Sequence, residues 1–383
     1  MSPKNTWTMT KHARIARLVI LGVLFSISAF AQDAKLAPDK QAKLEAIIAR
    51  FMAANQIPGV SVGVVENNTY EWSAGFGMAD LENFVPATSQ TLYRLASISK
   101  PITATGTMLL WQQHKLDLDA PVQKYCPAFP QKDSTITTRQ VLGHLGGIRH
   151  YKSAEEGDQE LGNTRHFDDP IDSGLKFFAN DPLVAKPGTA FHYSTQGFTL
   201  VGCVLQGASG EKYVDYVQKS VLQPAGMVHT RTDDRFAIVP YRTRFYQKEK
   251  SGEVKNADFL DSSYKVAGGG WLSSAEDMAH FMVAMLTDKI VQRSTRDLMW
   301  TSLQTSDGKS TGYALGWGVG NAAGVPDVGH GGGQQGTSTY ILMAPEQKAG
   351  VVVLMNLEGG DASALAIELM KTLLGIAPTP KAK

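Results

Sequence analysis

Apolar residues along the chain recur with two different periods. Leu44, Ile47, Ile48, Phe51 and Met52 repeat at helical spacing. Val60, Val62 and Val64 then alternate with Ser61 and Gly63, and Asn67-Asn68 leads into Tyr70-Glu71-Trp72. Alternation, a turn pair and a second strand-like run predict a β-hairpin. The far end mirrors it. Thr337 to Met343 and Gly350 to Asn356 read as strands around the turn Ala344-Pro345-Glu346-Gln347, and an apolar helix follows from about Ala362 to Leu374. Between the ends, residues 97–255 carry mostly helical periods broken by Gly/Pro loops. The expected class is therefore α/β (α+β): one antiparallel sheet built from both termini and flanked by helices, with a mainly helical lobe (about 97–255) packed beside it across a cleft.

The first 31 residues do not fit that scheme. Lys4, Lys11, Arg14 and Arg17 form a basic start without acids, Leu18 to Phe30 is apolar, and Ala29-Phe30-Ala31 precedes Gln32. This pattern predicts a cleaved signal peptide over 1–31, a linker over 32–39 and one large domain over 40–378. At about 13 residues the apolar run is short for a membrane span, which needs ~20. No membrane span is expected after cleavage, and the mature protein is expected in the periplasm or outside the cell. Net charge is +1, falling to −3 without the four leader cations, and gives no electrostatic case for nucleic acid. Two cysteines, Cys126 and Cys203, remain. An oxidising compartment permits a bridge, yet the apolar helical setting of Cys203 reads at least as well as a buried free thiol.

Two serine signatures compete as nucleophile. Gly59-Val60-Ser61-Val62-Gly63 matches a nucleophile elbow, which requires a strand, a sharp turn and a helix. Ser61 instead sits inside a strand that runs on into a hairpin. The S-x-x-K pattern occurs five times, starting at Ser97, Ser173, Ser209, Ser262 and Ser306. Three of these contain Gly within the tetrad. Ser262-Ser-Tyr-Lys265 runs into Gly268-Gly269-Gly270 and is expected to lead into no helix. Only Ser97-Ile98-Ser99-Lys100 opens a long apolar helical run, Ile102 to Trp111. Three residues apart on a helix, Ser97 Oγ and Lys100 Nζ share a face. An ordinary lysine is unprotonated only about once in 2,500 at pH 7, so a lysine base must be buried or set beside other cations.

The stretch Leu92 to Pro101 resembles the nucleophile segment of class C β-lactamases and related serine hydrolases (peptidase family S12). That family carries two further motifs in fixed order. Its Tyr-x-Asn is matched by Tyr193-Ser194-Thr195, and its Lys-Thr-Gly or His-x-Gly by His330-Gly331-Gly332 followed by Gly333. Gln140 to Tyr151 and Ala267 to Ser274 resemble the family's two glycine turns, and the likeness covers about residues 40–375. It implies a β-lactamase/transpeptidase-like fold, Ser97 as acylated nucleophile, and Lys100 and Tyr193 as proton carriers. Thr195, His330, Gly332 and Gly333 would contact substrate, with the N–H groups of Ser97 and Gly333 as oxyanion donors.

Two departures shape the expected activity. Thr195 replaces an Asn and loses an amide. His330 replaces a Lys, so a fixed cation for a substrate carboxylate is mostly absent at neutral pH and should return on acidification. Anionic substrates should lose about 10- to 150-fold, the size of one charge-assisted contact. A peptidase or esterase acting on a small molecule or peptide is expected over an efficient β-lactamase. The competing reading is a non-catalytic binder of penicillin or peptidoglycan fragments, or a self-assembling scaffold; a pure binder has no use for the Ser-Lys-Tyr set. No zinc spacing or phosphate loop is present, so no cofactor or metal is expected. The oligomeric state is open.

Overall fold

The computed structural model describes residues 36–152 and 162–377. The expected signal peptide lies outside them.

A seven-stranded antiparallel sheet runs, edge to edge, through Val85–Pro86, Thr69–Asp80, Gly59–Glu66, Ala349–Met355, Thr337–Ala344, Asp327–Gln334 and Gly318–Gly320. Strands from the two ends of the chain meet at its centre, where Val60 pairs with Met355 and Val64 with Val351. Residue alternation divides the core. Val351, Val353 and Met355 pack with Val60, Val62 and Val64 under the helices Pro38–Asn55 and Ala362–Leu373. Val352 and Leu354 face the other way, onto Met278, Ala279 and Met282 of the helix Ala275–Leu286. The hairpin turn is Asn67-Asn68, both with positive φ (53° and 62°), a conformation that Asn tolerates well.

The helix Ser99–Gln112 joins this sheet layer to the helical lobe. Every residue from Ser99 to Leu110 is buried. Its mid-helix threonines are tolerated there because Thr105 Oγ1 donates to Pro101 O and Thr107 Oγ1 to Thr103 O, which leaves no hydroxyl unpaired. Against it lies Thr195–Ser209, N-capped by Ser194, whose Oγ accepts from Gly197 N–H at 2.8 Å, and closed by Gly210 at φ 74°. The lobe also holds strands that helical periodicity does not reveal. Arg231–Thr232 joins a three-stranded sheet with Trp271–Ser273 and Tyr93–Arg94, and Tyr246–Lys248 pairs with Val254–Asn256. These segments are two or three residues long, too short to establish a period of their own.

One open question is settled and one expectation is corrected. Of the two readings open for Cys203, the structure shows the bridge, to Cys126 across 77 residues of sequence. The bridge ties Thr195–Ser209 to the segment after Val122–Lys124, and no free cysteine remains among the described residues. The Ser262 tetrad does lead into a helix, though one of only four residues, Val266–Gly269, after the tight turn Ser263–Lys265. Glycine at 268 lets this single helical turn pack closely against Thr195, where a bulkier residue would clash. A Cβ at Gly268 would lie 2.7 Å from Thr195 Cγ2.

Candidate active site

Ser97 lies in a tight turn, Ala96–Ile98, that feeds the helix Ser99–Gln112. Ala96 is held at φ 47°, a strained conformation for a residue with a side chain. Gly332 of the sheet packs directly behind this corner. A Cβ there would come within 2.3 Å of Leu95 O, so only glycine lets the strand approach.

Lys100 Nζ sits 3.0 Å from Ser97 Oγ, 3.1 Å from Thr195 Oγ1 and 2.9 Å from Gly268 O. Its side chain has no solvent exposure, and burial, reinforced by the charge of Lys265, drives its pKa well below the usual lysine range. A neutral amine can donate to Gly268 O and Thr195 Oγ1 and still offer its lone pair to the Ser97 hydroxyl. Tyr193 OH donates to Ser97 Oγ at 2.8 Å. Burial pushes its phenol up to about 12, so it stays a proton donor at neutral pH. Tyr193 is held from behind. His192 N–H donates to His144 O, Ser194 N–H to His144 Nδ1, Thr195 N–H to His150 Nδ1 and Ser194 Oγ to Arg149 O. The Gly-Ile-Arg-His-Tyr run thus anchors the second motif through both backbone and rings.

A cavity of about 180 Å³ opens on this group, lined by Ser97, Tyr193, Thr195 and Gly333 together with His150, Tyr151, Lys265, Gly268, Gly269, Gln334 and Gln335. The structure therefore brings Ser97, Lys100, Tyr193, Thr195 and Gly333 together. Gly333 is the open point of its strand, with no atom within 4 Å of where a Cβ would stand. Gly332 and His330 lie behind the wall instead. His330 is 7% exposed, with Nδ1 2.7 Å from Gly331 O and Nε2 2.9 Å from Tyr313 OH. The carbonyl can only accept, so Nδ1 carries the proton and Nε2 accepts from the tyrosine. Burial, with Lys100 nearby, pushes the ring down to about 3. This corrects the expectation that acidification restores a cation at position 330.

Pattern reading left most of the cavity wall unassigned, including His150, Tyr151 and Lys265. His150 and Tyr151 belong to the glycine-turn segment, whose likeness to the family was legible but whose depth was not. Lys265 closes the tetrad that had been set aside at Ser262, and burial brings it down to about 7. A larger groove of about 830 Å³, lined by Arg94, Arg235, Phe236 and Phe259 among others, contains none of Ser97, Lys100 or Tyr193. Among the described residues no group of three His, Cys, Asp or Glu side chains has metal-binding geometry.

A serine held between a buried lysine and a tyrosine, where an antiparallel sheet meets a helical lobe, defines a penicillin-recognising type of fold and site. The chain belongs to the beta-lactamase family, whose sequence profile matches residues 44–373. It is 32% identical to the human "Serine beta-lactamase-like protein LACTB, mitochondrial", over 76% of this chain and 69% of that protein. Among solved structures, the octameric penicillin-binding protein homologue from Pyrococcus abyssi superposes with a TM-score of 0.77 at 29% identity, covering 89% of this chain and 79% of that one. A D-stereospecific amidohydrolase from Streptomyces sp. shares the fold, with a TM-score of 0.73 at 24% identity over 89% of this chain and all of that one.

Proposed function

We propose that this protein is an exported serine hydrolase of the S-x-x-K type, cleaving an amide or ester bond through a covalent acyl-Ser97 intermediate. The observation that carries this reading is the full burial of Lys100 with Nζ 3.0 Å from Ser97 Oγ. Lys100 takes the hydroxyl proton as Ser97 Oγ attacks the carbonyl carbon. Tyr193 O–H protonates the departing oxygen or nitrogen as its bond to the carbonyl carbon breaks, and the Lys100 ammonium returns a proton to the Tyr193 phenolate, so that both groups end as they began. Water then attacks the ester carbonyl by the same route in reverse. The N–H groups of Ser97 and Gly333 receive the oxyanion.

A peptidase or esterase is favoured over an efficient β-lactamase. Thr195 Oγ1 accepts from Lys100 and offers no amide, and His330 is neutral with both nitrogens engaged. Purified protein is expected to be labelled at Ser97 by a fluorophosphonate, to turn over 4-nitrophenyl butyrate, and to hydrolyse nitrocefin slowly or not at all. Labelling without turnover of any ester or amide would instead favour a binding protein. Fast nitrocefin hydrolysis would return it to the true β-lactamases.

Export rests on the basic and apolar leader, and the Cys126–Cys203 bridge fits an oxidising compartment. Mass spectrometry of cell-envelope protein should find a mature N-terminus at Gln32, within a few residues. A full-length product in the cytoplasm would rule export out.

A further inference from the structure

The wall of the acylation cavity carries a cation that the acyl-transfer steps do not use. Lys265 is 4% exposed, and its Nζ lies 5.4 Å from the ring centroids of both Tyr151 and Tyr264. Two aromatic faces stabilise an ammonium but take none of its three protons. Among the described residues no carboxylate or carbonyl accepts a hydrogen bond from it. The nearest acid that acts on it, Asp233, is already paired with Arg94 Nε at 2.7 Å and with Arg242 at 3.3 Å. Among the described residues no Asp or Glu lines the cavity. A second donor stands on the same wall: Gln334 Nε2 is buried and has no acceptor among the described residues. Burying an ammonium and an amide N–H without acceptors is unfavourable, and an anion arriving between them would recover much of that cost.

We propose that Lys265 and Gln334 form a carboxylate-binding subsite of the acylation cavity, so that preferred substrates are esters or amides with a carboxylate a few atoms from the scissile carbonyl. The proposal rests on Ser97 acylation and names the substrate class for it. It places the anion site on the helical-lobe wall and on Gln334, not on the sheet position where His330 replaces a lysine. The small cavity, about 180 Å³, limits the anionic substituent to a short one.

The test compares kcat/KM for two matched pairs of esters. Mono-4-nitrophenyl adipate against 4-nitrophenyl hexanoate places the charge on the acyl part; 3-carboxyphenyl butyrate against phenyl butyrate places it on the leaving group. Wild type should favour the anionic member of at least one pair by about 10- to 150-fold, the size of one charge-assisted hydrogen bond. The pair that responds says which side of the scissile bond faces Lys265. Lys265→Met should bring that ratio to about one, and Lys265→Arg should keep part of it. A general loss of turnover in either variant divides out of the ratio.

The pH dependence of wild type gives a second, variant-free reading. The groups facing Lys265 are Arg94 and Asp233, paired with each other, the tyrosines 151 and 264, and across the cavity Lys100 and His150. Lys100 serves every substrate as the base, so its titration divides out of the ratio, and His150, pushed down to about 4 by burial, does not change charge between pH 6 and 8.5. Lys265, at about 7, does. The anionic preference should therefore fall as pH rises through that range. A ratio of one for both pairs in wild type, a preference that survives Lys265→Met, or a preference flat with pH would overturn the subsite. If neutral-ester turnover is still abolished by Ser97→Ala, that failure leaves the acyl-enzyme reading standing.

Discussion

Ser97→Ala should lower kcat for any hydrolysed ester by at least about 10⁴, whereas Ser61→Ala should stay within a few-fold of wild type. The first figure follows from removing a nucleophile whose partners cannot replace it. Lys100 and Tyr193 converge on one oxygen, with Nζ at 3.0 Å and the phenol oxygen at 2.8 Å. Without that oxygen both are left pointing at an empty position. Ser61 is the contrasting case. It is fully buried in the strand Gly59–Glu66, donates to Thr88 O at 2.8 Å and meets Tyr93 OH at 2.9 Å. Its loss should cost about 1 kcal/mol of stability and leave the chemistry alone. Steady-state kinetics of both variants on 4-nitrophenyl butyrate settles the matter. Activity lost with Ser61 and kept without Ser97 would overturn the mechanism.

Ser97 was legible in the sequence because its evidence is local. An S-x-x-K tetrad at the start of an apolar helix can be recognised without knowing what packs against it. The same holds for the Asn67-Asn68 hairpin and for the strands at the two ends of the chain, whose alternation matches the division of the core between the two faces of the sheet. Features that depend on distant residues were not legible. Lys265 closes a tetrad that resembles a loop, and its character comes from Tyr151, more than a hundred residues earlier, and from burial that no local pattern records. His330 reads as a titrating ring until Tyr313 and the Gly331 carbonyl are placed on its two nitrogens. The Cys126–Cys203 bridge belongs to the same group, since an apolar helical setting does not distinguish a free thiol from half of a disulfide.

Those non-local features act on the charge state of the site. Lys100, Lys265, His144, His150 and His330 all have their pKa values lowered, and burial is the leading cause for each. Five nitrogen bases in and around the cavity are thus biased towards their neutral, proton-accepting forms. Tyr193 and Tyr313 shift the opposite way and remain donors. Groups whose environments push their pKa values apart are the expected assignment of base and acid, here Lys100 against Tyr193.

Lys100→Arg should be nearly as damaging as Lys100→Ala, each lowering the rate of Ser97 acylation by about 10³ to 10⁴, the upper part of the range for a positioned base. A guanidinium stays protonated in proteins and has no lone pair to take the serine proton. If charge alone were required, arginine would restore activity; an active Arg variant would therefore refute proton transfer to Lys100. Because arginine is also larger than the space beside Gly268 and Thr195, Lys100→Met serves as the size control. That variant also has a signature in stability. The folded-state pKa of Lys100 lies well below its unfolded value, so between the two the unfolded chain binds one more proton than the folded one. Stability from this group therefore rises with pH across that window, by up to about 1.4 kcal/mol per unit, and the cost of burying the lysine is greatest at the low-pH end. Removing the amine removes the cost. Lys100→Met should be inactive yet more stable than wild type at neutral pH, with the difference narrowing as pH climbs towards 10. Chemical denaturation of both proteins at several pH values measures it. A Met variant less stable than wild type at every pH would mean that Lys100 is buried as a charged structural group, and the base would have to be sought elsewhere in the cavity.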